Sequence, residues 1–423
     1  MAHSGTHSGK QTNGELLISR RHFLYGALGA GALAAGLGSV ARPGQAFADD
    51  EEVEYLEVPE ESVFSHEPDC TLVPASELVL NVGTYELPYG TLIWANGDTV
   101  AACLFPTETA APLTQAGILF LGNGSTTVVL EAALGTAQGF EIYDIRANEQ
   151  GVVWTEANIF SNTWRIYAAP FNGEAIGEAT MVDEGGSDWE TPTIAAVGSH
   201  AFWQVLPHLG GEKTSEDSLL KRAAFNGGAI DTVYASEGRM STPVYPLKDS
   251  LVITPRTSTD AIHHQLTLIE AATGAVKDTL VLPPSMKPLE AGYGSTGFTF
   301  SFDDIYSYGG GISNLGTYAP QSAKAVGNYQ NQTWFHFVKS PTAPPSWCRN
   351  FFVVKSSRSV CGVDLNERKY FALDVENGSD SYGDYLASTG INGSIVTYAN
   401  IDTQSTDGTT RKCCLVRIWA PFA

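Results

Sequence analysis

Short apolar segments alternate with polar turn residues along most of the chain after about residue 70. The segments are rich in Val, Ile, Thr, Tyr and Phe, and each is closed by Gly, Asn, Asp or Pro. Apolar runs of this length between turn-forming residues predict β-strands joined by tight turns. No amphipathic helical pattern stands out beyond the N-terminal region, so the pattern predicts an all-β chain.

One kind of turn recurs at a spacing of about fifty residues. In each copy a Gly follows an Asn or a Thr between two strand-like runs, and Asn-Gly favours a tight turn because both residues tolerate positive φ. The turn residues are Asn123, Asn172, Asn226, Thr273 and Asn377. The gap between the last two is about twice the other gaps, and a degenerate copy of the turn at Gly327-Asn328 lies near its middle, which makes six turns.

A second series of apolar strands precedes these turns and predicts the number of repeated units. Its members are residues 99–104, 151–157, 200–206, 250–255, 304–309, 359–364 and 394–400. The last member is followed only by the strand at 413–419, so the seventh unit lacks its outermost strand. Repeated four-strand units predict a single β-propeller, most simply with seven blades, although six or eight are left open. Residues 70–80 are free to supply the missing strand and so to close the ring.

The alternation of strand, hairpin and Asn-Gly turn resembles TolB-like and related seven-bladed propellers. The resemblance covers the chain after about residue 70 and implies an architecture without carrying over a catalytic residue. The chain contains no Trp-Asp dipeptide, which argues against the WD40 family. It also lacks the G-x-S-x-G motif of a serine hydrolase, because the segment from Gly292 to Gly297 has the wrong spacing.

The N-terminal residues resemble a twin-arginine (Tat) export signal. Two arginines precede a bulky apolar pair, and an uncharged, Gly/Ala-rich run continues to Val40. A small-x-small cleavage pattern then ends before Asp49. The signal residues are Arg20, Arg21, Phe23 and Leu24, and the cleavage residues are Ala46 and Ala48.

The leader sets the expected domain organisation. We expect a signal peptide at 1–48, an acidic linker at 49–69 and the propeller at 70–423. The Tat export machinery would then be a partner of the chain. The exported chain would lie in the cell envelope or outside the cell. In a cell with two membranes, it would lie in the periplasm.

The net charge of −22 limits the remaining partners. A strongly acidic surface repels nucleic acid and anionic lipid, so we exclude roles on DNA, RNA or a membrane surface. No later segment is long and apolar enough to cross a membrane, so we expect no stable span after cleavage.

Ligand-binding candidates come from the loops that enter each first strand and the loops that join each second and third strand. Propellers usually bind ligands at the face that these loops form, and aromatic and Arg side chains there can stack on sugars or bind carboxylates. The alternative is that the tryptophans pack between blades. The candidates are Trp189, Glu190, Arg239, Arg256, Tyr293, Trp347 and Arg349.

Two classes of function fit these features. We favour a binding scaffold for an extracellular protein, a glycan or a small ligand. The alternative is a metal-assisted lyase or a glycoside-active enzyme that uses the central funnel, and no catalytic residue is identified for it.

The side chains that could bind a metal ion are scattered along the sequence. Six histidines are spread along the exported part without a metal-binding pattern: His66, His200, His208, His263, His264 and His336. Two acidic loops carry oxygen ligands of the kind that Ca²⁺ prefers, although solvated turns are the favoured interpretation. These loops contain Asp374, Glu376, Asp380 and Asp384, and Asp402 and Asp407. No cofactor is evident, and a divalent cation is left open.

The six cysteines suggest one covalent link. If Cys70 begins the closing strand, it lies beside the strand that holds Cys413 and Cys414, and one of these two can face it. An exported protein can keep such a disulfide. The alternative is that all six are buried thiols.

Overall fold

Antiparallel β-sheets follow one another along the chain in this computed structural model. The described residues are 63–65, 69–106, 113–258, 262–282, 287–294, 297–302, 314–317, 334–336, 343–404 and 408–422. They all belong to one compact unit, Asp50–Ala423. The predicted signal peptide, most of the acidic linker, His66 and Asp407 lie outside the described residues.

The first three sheets are four-stranded meanders, in which each strand pairs with the next one along the chain. Sheet 1 consists of Leu92–Ala95, Val100–Pro106, Leu113–Phe120 and Thr126–Leu130. Sheet 2 consists of Glu141–Ala147, Gly151–Asn158, Thr163–Pro170 and Thr180–Gly185. Sheet 3 consists of Thr193–Val197, His200–Val205, Ser218–Ala224 and Asp231–Ser236.

The next three sheets keep this order and add short extra strands. Sheet 4 consists of Tyr245–Pro246, Ser250–Ile253, Ile262–Glu270 and Val276–Val281, with Arg256–Ser258 beside the third strand. Sheet 5 consists of Pro288–Gly294, Gly297–Phe302, Asn314–Thr317 and Trp334–His336, with Val63–Ser65 parallel to the last strand. Sheet 6 consists of Ser346–Cys348, Phe351–Lys355, Val360–Asp364 and Lys369–Ala372, with Thr71–Leu72 and Gly390–Asn392 parallel to its outer and inner strands.

Sheet 7 takes one strand from the other end of the chain. It consists of Tyr385–Leu386, Ile395–Gln404, Thr410–Pro421 and, as its outer strand, Val79–Leu87. The described residues therefore form seven successive sheets, and an antiparallel sheet of four strands is the repeated unit of a β-propeller. Residues 70–80, which were predicted to supply the outer strand of sheet 7, overlap it only at Val79 and Leu80, so the predicted bounds were wrong by several residues.

The cysteine prediction rested on those boundaries. The strand that follows Cys70 pairs with Lys369–Ala372 of sheet 6, whereas Cys414 lies opposite Leu87 in sheet 7. The assumption that Cys70 lies beside Cys413 and Cys414 was therefore wrong, and all six cysteines are free thiols in the structure.

The turn series holds for the first four sheets and fails in the sixth. Asn123, Asn172, Asn226 and Thr273 each lie between the third and fourth strands of a sheet. Asn377 lies instead in the connection from sheet 6 to sheet 7, and residues 359–364 coincide with a third strand, whereas the other described members of the series are second strands. The error arose because the turn between the third and fourth strands of sheet 6, residues 365–368, contains no Asn-Gly or Thr-Gly pair. The predicted strand at 304–309 and the turn at 327–328 lie outside the described residues.

Buried apolar clusters join neighbouring sheets. They join sheets 1 and 2, 2 and 3, 3 and 4, 4 and 5, and 6 and 7. A further cluster packs Ile93 and Ala101 of sheet 1 against Val396 and Cys414 of sheet 7. The first and last sheets are thus in contact, and area buried between sheets supplies most of the folding free energy.

Each sheet has two opposite edges, at the two ends of its strands. The upper edge is where the first strand begins and where the second and third strands are joined, and the lower edge is the opposite one. At the lower edge, the side-chain amide of Asn96 donates hydrogen bonds to the carbonyl oxygens of Ala196, at 3.3 Å, and Leu247, at 3.5 Å. These contacts link sheet 1 to sheets 3 and 4, which are not its neighbours along the chain, so the innermost strands converge there.

Helix is scarce in the described residues. They contain one short α-helix, Ala75–Leu78, and one 3₁₀-helix, Thr136–Gln138. Within these same residues we find no helix with the length and apolar character that crossing a membrane requires.

Candidate functional site

Buried polar side chains near the ends of second strands position the loops of the upper edge. Glu156 is fully buried, and its carboxylate accepts hydrogen bonds from the backbone N–H groups of Leu134, at 2.6 Å, and Gly135, at 2.9 Å. Thr254, also fully buried, accepts one from the N–H of Thr242 at 2.7 Å. Because buried polar groups are costly when unpaired, these bonds fix the loops that enter sheets 2 and 4.

Four of the predicted binding residues lie at this upper edge, and two of them form an ion pair. The guanidinium of Arg239, in the loop that enters sheet 4, donates to the carboxylate of Glu190, in the loop that enters sheet 3. Arg239 also donates to the carbonyl oxygen of Pro207 at 2.9 Å. One arginine therefore holds three loops of the upper edge together.

Trp189 lies beside this ion pair on the same loop. It forms a β-bridge with Pro207, and its ring packs partly against the cluster between sheets 2 and 3. The ammonium of Lys213 lies 5.1 Å from the ring centroid, within range of a cation–π interaction. Trp189 is half-buried, so part of the ring and the ammonium above it face solvent.

Arg256 lies next to these loops in sheet 4. Its backbone N–H donates to Ser236 Oγ at 2.9 Å, and the residue pairs with His264 across the two strands. Burial, together with the nearby charges of Arg256 and Lys287, lowers the pKa of His264 to about 4. His264 is therefore neutral near pH 7 and adds no charge to the upper edge.

The other three predicted binding residues lie towards the lower edge, so the structure does not bring all seven together. Tyr293 is at the far end of a first strand, where its hydroxyl donates to Asp278 at 3.2 Å and burial raises its pKa. Trp347 is only 2% exposed and packs against Phe352. Arg349 lies in the turn after a first strand and donates to the carbonyl oxygen of Phe422 at 3.1 Å. The prediction placed these residues at the wrong end of their strands, because the bounds of sheets 5 and 6 were misjudged.

A charged cluster lies buried where sheets 6 and 7 meet. Arg417 donates to the carboxylate of Asp384, and its guanidinium lies 3.9 Å from Glu376. Lys355 is fully buried and donates to the carbonyl oxygens of Ser357, at 2.9 Å, and Tyr382, at 3.0 Å. Burial raises the pKa of Asp384 to about 6 and lowers the pKa of Lys355 to about 8.

This cluster accounts for most of the first acidic loop that the sequence analysis considered for Ca²⁺. Asp374 contributes its carbonyl oxygen to Arg417 at 2.9 Å, and Asp380 accepts from the backbone N–H of Tyr382 at 2.9 Å. In the second loop, Asp402 lies 3.6 Å from Lys412. These carboxylates and carbonyls face cations and amides of the chain itself.

The histidines do not converge in the described part of the chain. His200 lies at the lower edge of sheet 3 and contacts Ser199 Oγ at 3.1 Å, whereas His208 lies at the upper edge. His263 and His264 are adjacent in sheet 4. Among the residues that the structure describes, no group of three His, Cys, Asp or Glu side chains is close enough to hold a metal ion.

Sequence reasoning missed a highly exposed aromatic side chain of the upper edge. Phe160 lies in the turn between the second and third strands of sheet 2 and is 94% exposed. The signal was present in the sequence as Asn-Ile-Phe-Ser-Asn between two strand-like runs, since a polar turn rarely holds two consecutive large apolar residues.

Comparison with known proteins gives likenesses among solved structures. No protein-family model matches the chain, and no curated protein matches it. Puromycin hydrolase is similar at 13% identity and a TM-score of 0.46, over 77% of this chain and 56% of that one. The β-propeller domain of the Trilobed protease from Pyrococcus furiosus is similar at 9% identity and a TM-score of 0.42, over 78% of this chain and 97% of that one. Oligogalacturonate lyase in complex with manganese is similar at 8% identity and a TM-score of 0.41, over 78% of this chain and 96% of that one.

The chain spans little more than half the length of the puromycin hydrolase chain that it matches. At these identities and scores, no activity passes from these proteins to this one. The propeller architecture described above rests on the strand pairing of the chain itself.

Proposed function

We propose that this chain is an exported binding propeller that takes a protein, a glycan or a small ligand at the upper edge of sheets 2 to 4. The supporting observation is the group formed by Trp189, Lys213, Glu190 and Arg239, in which three loops are tied together by one ion pair and its neighbouring hydrogen bond. Loops fixed in this way lose little conformational entropy on binding, which favours recognition.

The proposal includes a ring of seven blades that the N-terminal strand closes. The apolar cluster shared by sheets 7 and 1 supports it, as does the pairing of Val79–Leu87 with Thr410–Pro421. The contacts of Asn96 with sheets 3 and 4 also support an arrangement of the inner strands around a common axis.

Export by the Tat route is the second part of the proposal. Its support is the pair Arg20-Arg21 before an uncharged Gly/Ala-rich run and the cleavage pattern at Ala46 and Ala48. The mature protein would then act in the cell envelope or outside the cell, with the Tat machinery as its partner during export.

A binding screen tests the first part. The mature chain is applied to a glycan array, a small-molecule panel and a display library of random peptides, together with its Trp189→Ala and Arg239→Ala variants. We expect a ligand whose affinity falls by about tenfold or more in these variants, because anchoring aromatic and Arg side chains carry most binding energy. Arg349→Ala, at the lower edge, is the matched control. A ligand that binds all four proteins equally would place its site elsewhere.

The alternative, a metal-assisted lyase or glycoside-active enzyme, has a separate test. Elemental analysis of the purified mature protein measures a bound divalent cation directly. A stoichiometric metal would favour that alternative over the binding function.

A further inference from the structure

Sheet 2 presents large apolar side chains to solvent at its upper edge. Ile159 is 69% exposed and Phe160 is 94% exposed, in the turn between the second and third strands. Leu134, in the loop that enters the same sheet, is 55% exposed. We call these three residues the apolar tip. Exposed to this degree, their side chains contribute little to the stability of the fold.

Hydrogen bonds of a polar neighbour hold the apolar tip in place. The side-chain oxygen of Asn158 accepts from the backbone N–H groups of Phe160, at 3.1 Å, and Ser161, at 3.2 Å. Its side-chain amide donates to the carbonyl oxygen of Gln138, at 3.1 Å, in the loop that carries Leu134. The turn is thus ordered by backbone capping and needs no apolar residue for its own stability. A rigid turn that displays an aromatic ring is well suited to anchor a partner.

Two exposed carboxylates lie at the strand ends beside the apolar tip. Glu184 is in the outer strand of the sheet, and Glu141 lies opposite Ala157 near the end of the second strand. Arg165, in the third strand, lies 3.8 Å from Glu184, and its guanidinium stacks over the ring of Phe140 at 4.3 Å. Two carboxylates and one guanidinium give these strand ends, which we call the acidic rim, a net negative charge, in a chain whose net charge is −22.

We propose that the apolar tip anchors a protein partner that offers an apolar pocket with a basic rim. This inference rests on the proposed binding function and names the class of its ligand. An acidic rim around apolar anchors complements basic residues around a pocket, which steers encounter and fixes orientation.

Two other occupants fit the tip less well. A glycan needs polar side chains beside an aromatic ring, but Asn158 and Arg165 already bind their own chain, and Ile159 and Leu134 offer no flat face for stacking. A second copy of this chain would bring two acidic rims and two strongly acidic molecules together, which is repulsive.

The test uses the peptides selected from the random-peptide display library on the wild-type mature chain. Their affinities are measured for the wild type, for Ile159→Ser/Phe160→Ser, and for Met181→Ser, a control residue that is 48% exposed on the outer strand of the same sheet. We expect apolar peptides flanked by Lys and Arg that bind the wild type and the control about tenfold or more tighter than the double variant. Their affinity should weaken as salt is added.

Other results would overturn the proposal. Selected peptides that bind the double variant as tightly as the wild type, or that are acidic, would do so. If their binding is lost in Trp189→Ala but kept in the double variant, the binding function stands and the apolar tip is not the anchor. Loss of glycan-array binding in the double variant would assign the tip to a sugar. Self-association of the wild type that the double variant abolishes, measured by sedimentation, would assign it to a second copy.

Discussion

The guanidinium of Arg417, in the third strand of sheet 7, donates a hydrogen bond to the carboxylate of Asp384, in the loop that joins sheet 6 to sheet 7. Asp384 is fully buried and Arg417 is 6% exposed. Arg417 also donates to the carbonyl oxygen of Asp374, at the start of the same loop. A single buried arginine therefore fixes both ends of the connection between the two sheets.

Replacing Arg417 by Met should destabilise the protein markedly. The substitution leaves the buried carboxylate of Asp384 without its closest cation, and breaking a buried ion pair in this way costs about 3–5 kcal/mol. Lys412→Met is the control, because Asp402 and Lys412 form an exposed pair for which about 0–1 kcal/mol is expected. Urea-induced unfolding measures both variants. Equal losses would mean that burial of the Asp384 pair has no special role.

The same cluster predicts a pH dependence of stability at each end of the neutral range. Burial is the main reason that the pKa of Asp384 is raised from 3.8 to about 6, so between these values the folded state binds more protons than the unfolded state. The contribution of Asp384 to the free energy of unfolding therefore falls as pH rises through this window. Burial lowers the pKa of Lys355 from 10.5 to about 8, so between these values the contribution of Lys355 rises with pH.

Unfolding titrations across the two windows separate these contributions. Asp384→Asn should remove the acidic slope that belongs to Asp384, and Lys355→Met should remove the alkaline slope that belongs to Lys355. A variant that retains the slope assigned to its own residue would show that another group is responsible.

The sequence predicted the repeat but not the positions of side chains within it. Asn123, Asn172 and Asn226 marked hairpins correctly, because Asn-Gly-type turns depend on local backbone preference alone. Asn377-Gly378 has the same local chemistry but lies in a connection between sheets, and the ring of Trp347 is buried against Phe352 and against Gly294 of sheet 5. The tie between Glu190 and Arg239 joins two entry loops, and such long-range pairing has no signature in a single sequence.

Removal of the N-terminal strand should weaken the whole sheet assembly. A chain that begins at Pro88 lacks Val79–Leu87, so Thr410–Pro421 becomes an unpaired edge and the cluster shared by sheets 7 and 1 loses Leu87. We expect that this shortened chain no longer unfolds in a single cooperative transition. Calorimetry measures the transition. A chain that begins at residue 69 and keeps this strand is the control. Identical melting of the two would show that the strand does not close the ring.

Export should depend on the two leader arginines. Replacing Arg20 and Arg21 together by Lys retains the positive charge but removes the twin-arginine pattern, so precursor should accumulate in the cytoplasm. Cell fractionation and immunoblotting measure the precursor and mature forms. A single replacement at Arg42, outside the pattern, is the control. Normal export of the double variant would contradict the Tat assignment.

Gly294→Ala should test a close contact between sheets 5 and 6. A Cβ at Gly294 would lie 2.0 Å from the indole nitrogen of Trp347, so the buried ring would have to move. Overpacking of this kind costs about 1–3 kcal/mol, and we expect a loss of that size in urea-induced unfolding. Gly186→Ala is the matched control, because nothing lies within 4 Å of the added methyl group, and its effect should stay within about 0.5 kcal/mol. If both variants unfold like the wild type, Trp347 does not pack against Gly294 in solution. The stacking of sheet 5 on sheet 6, which a closed ring requires, would then lack this contact.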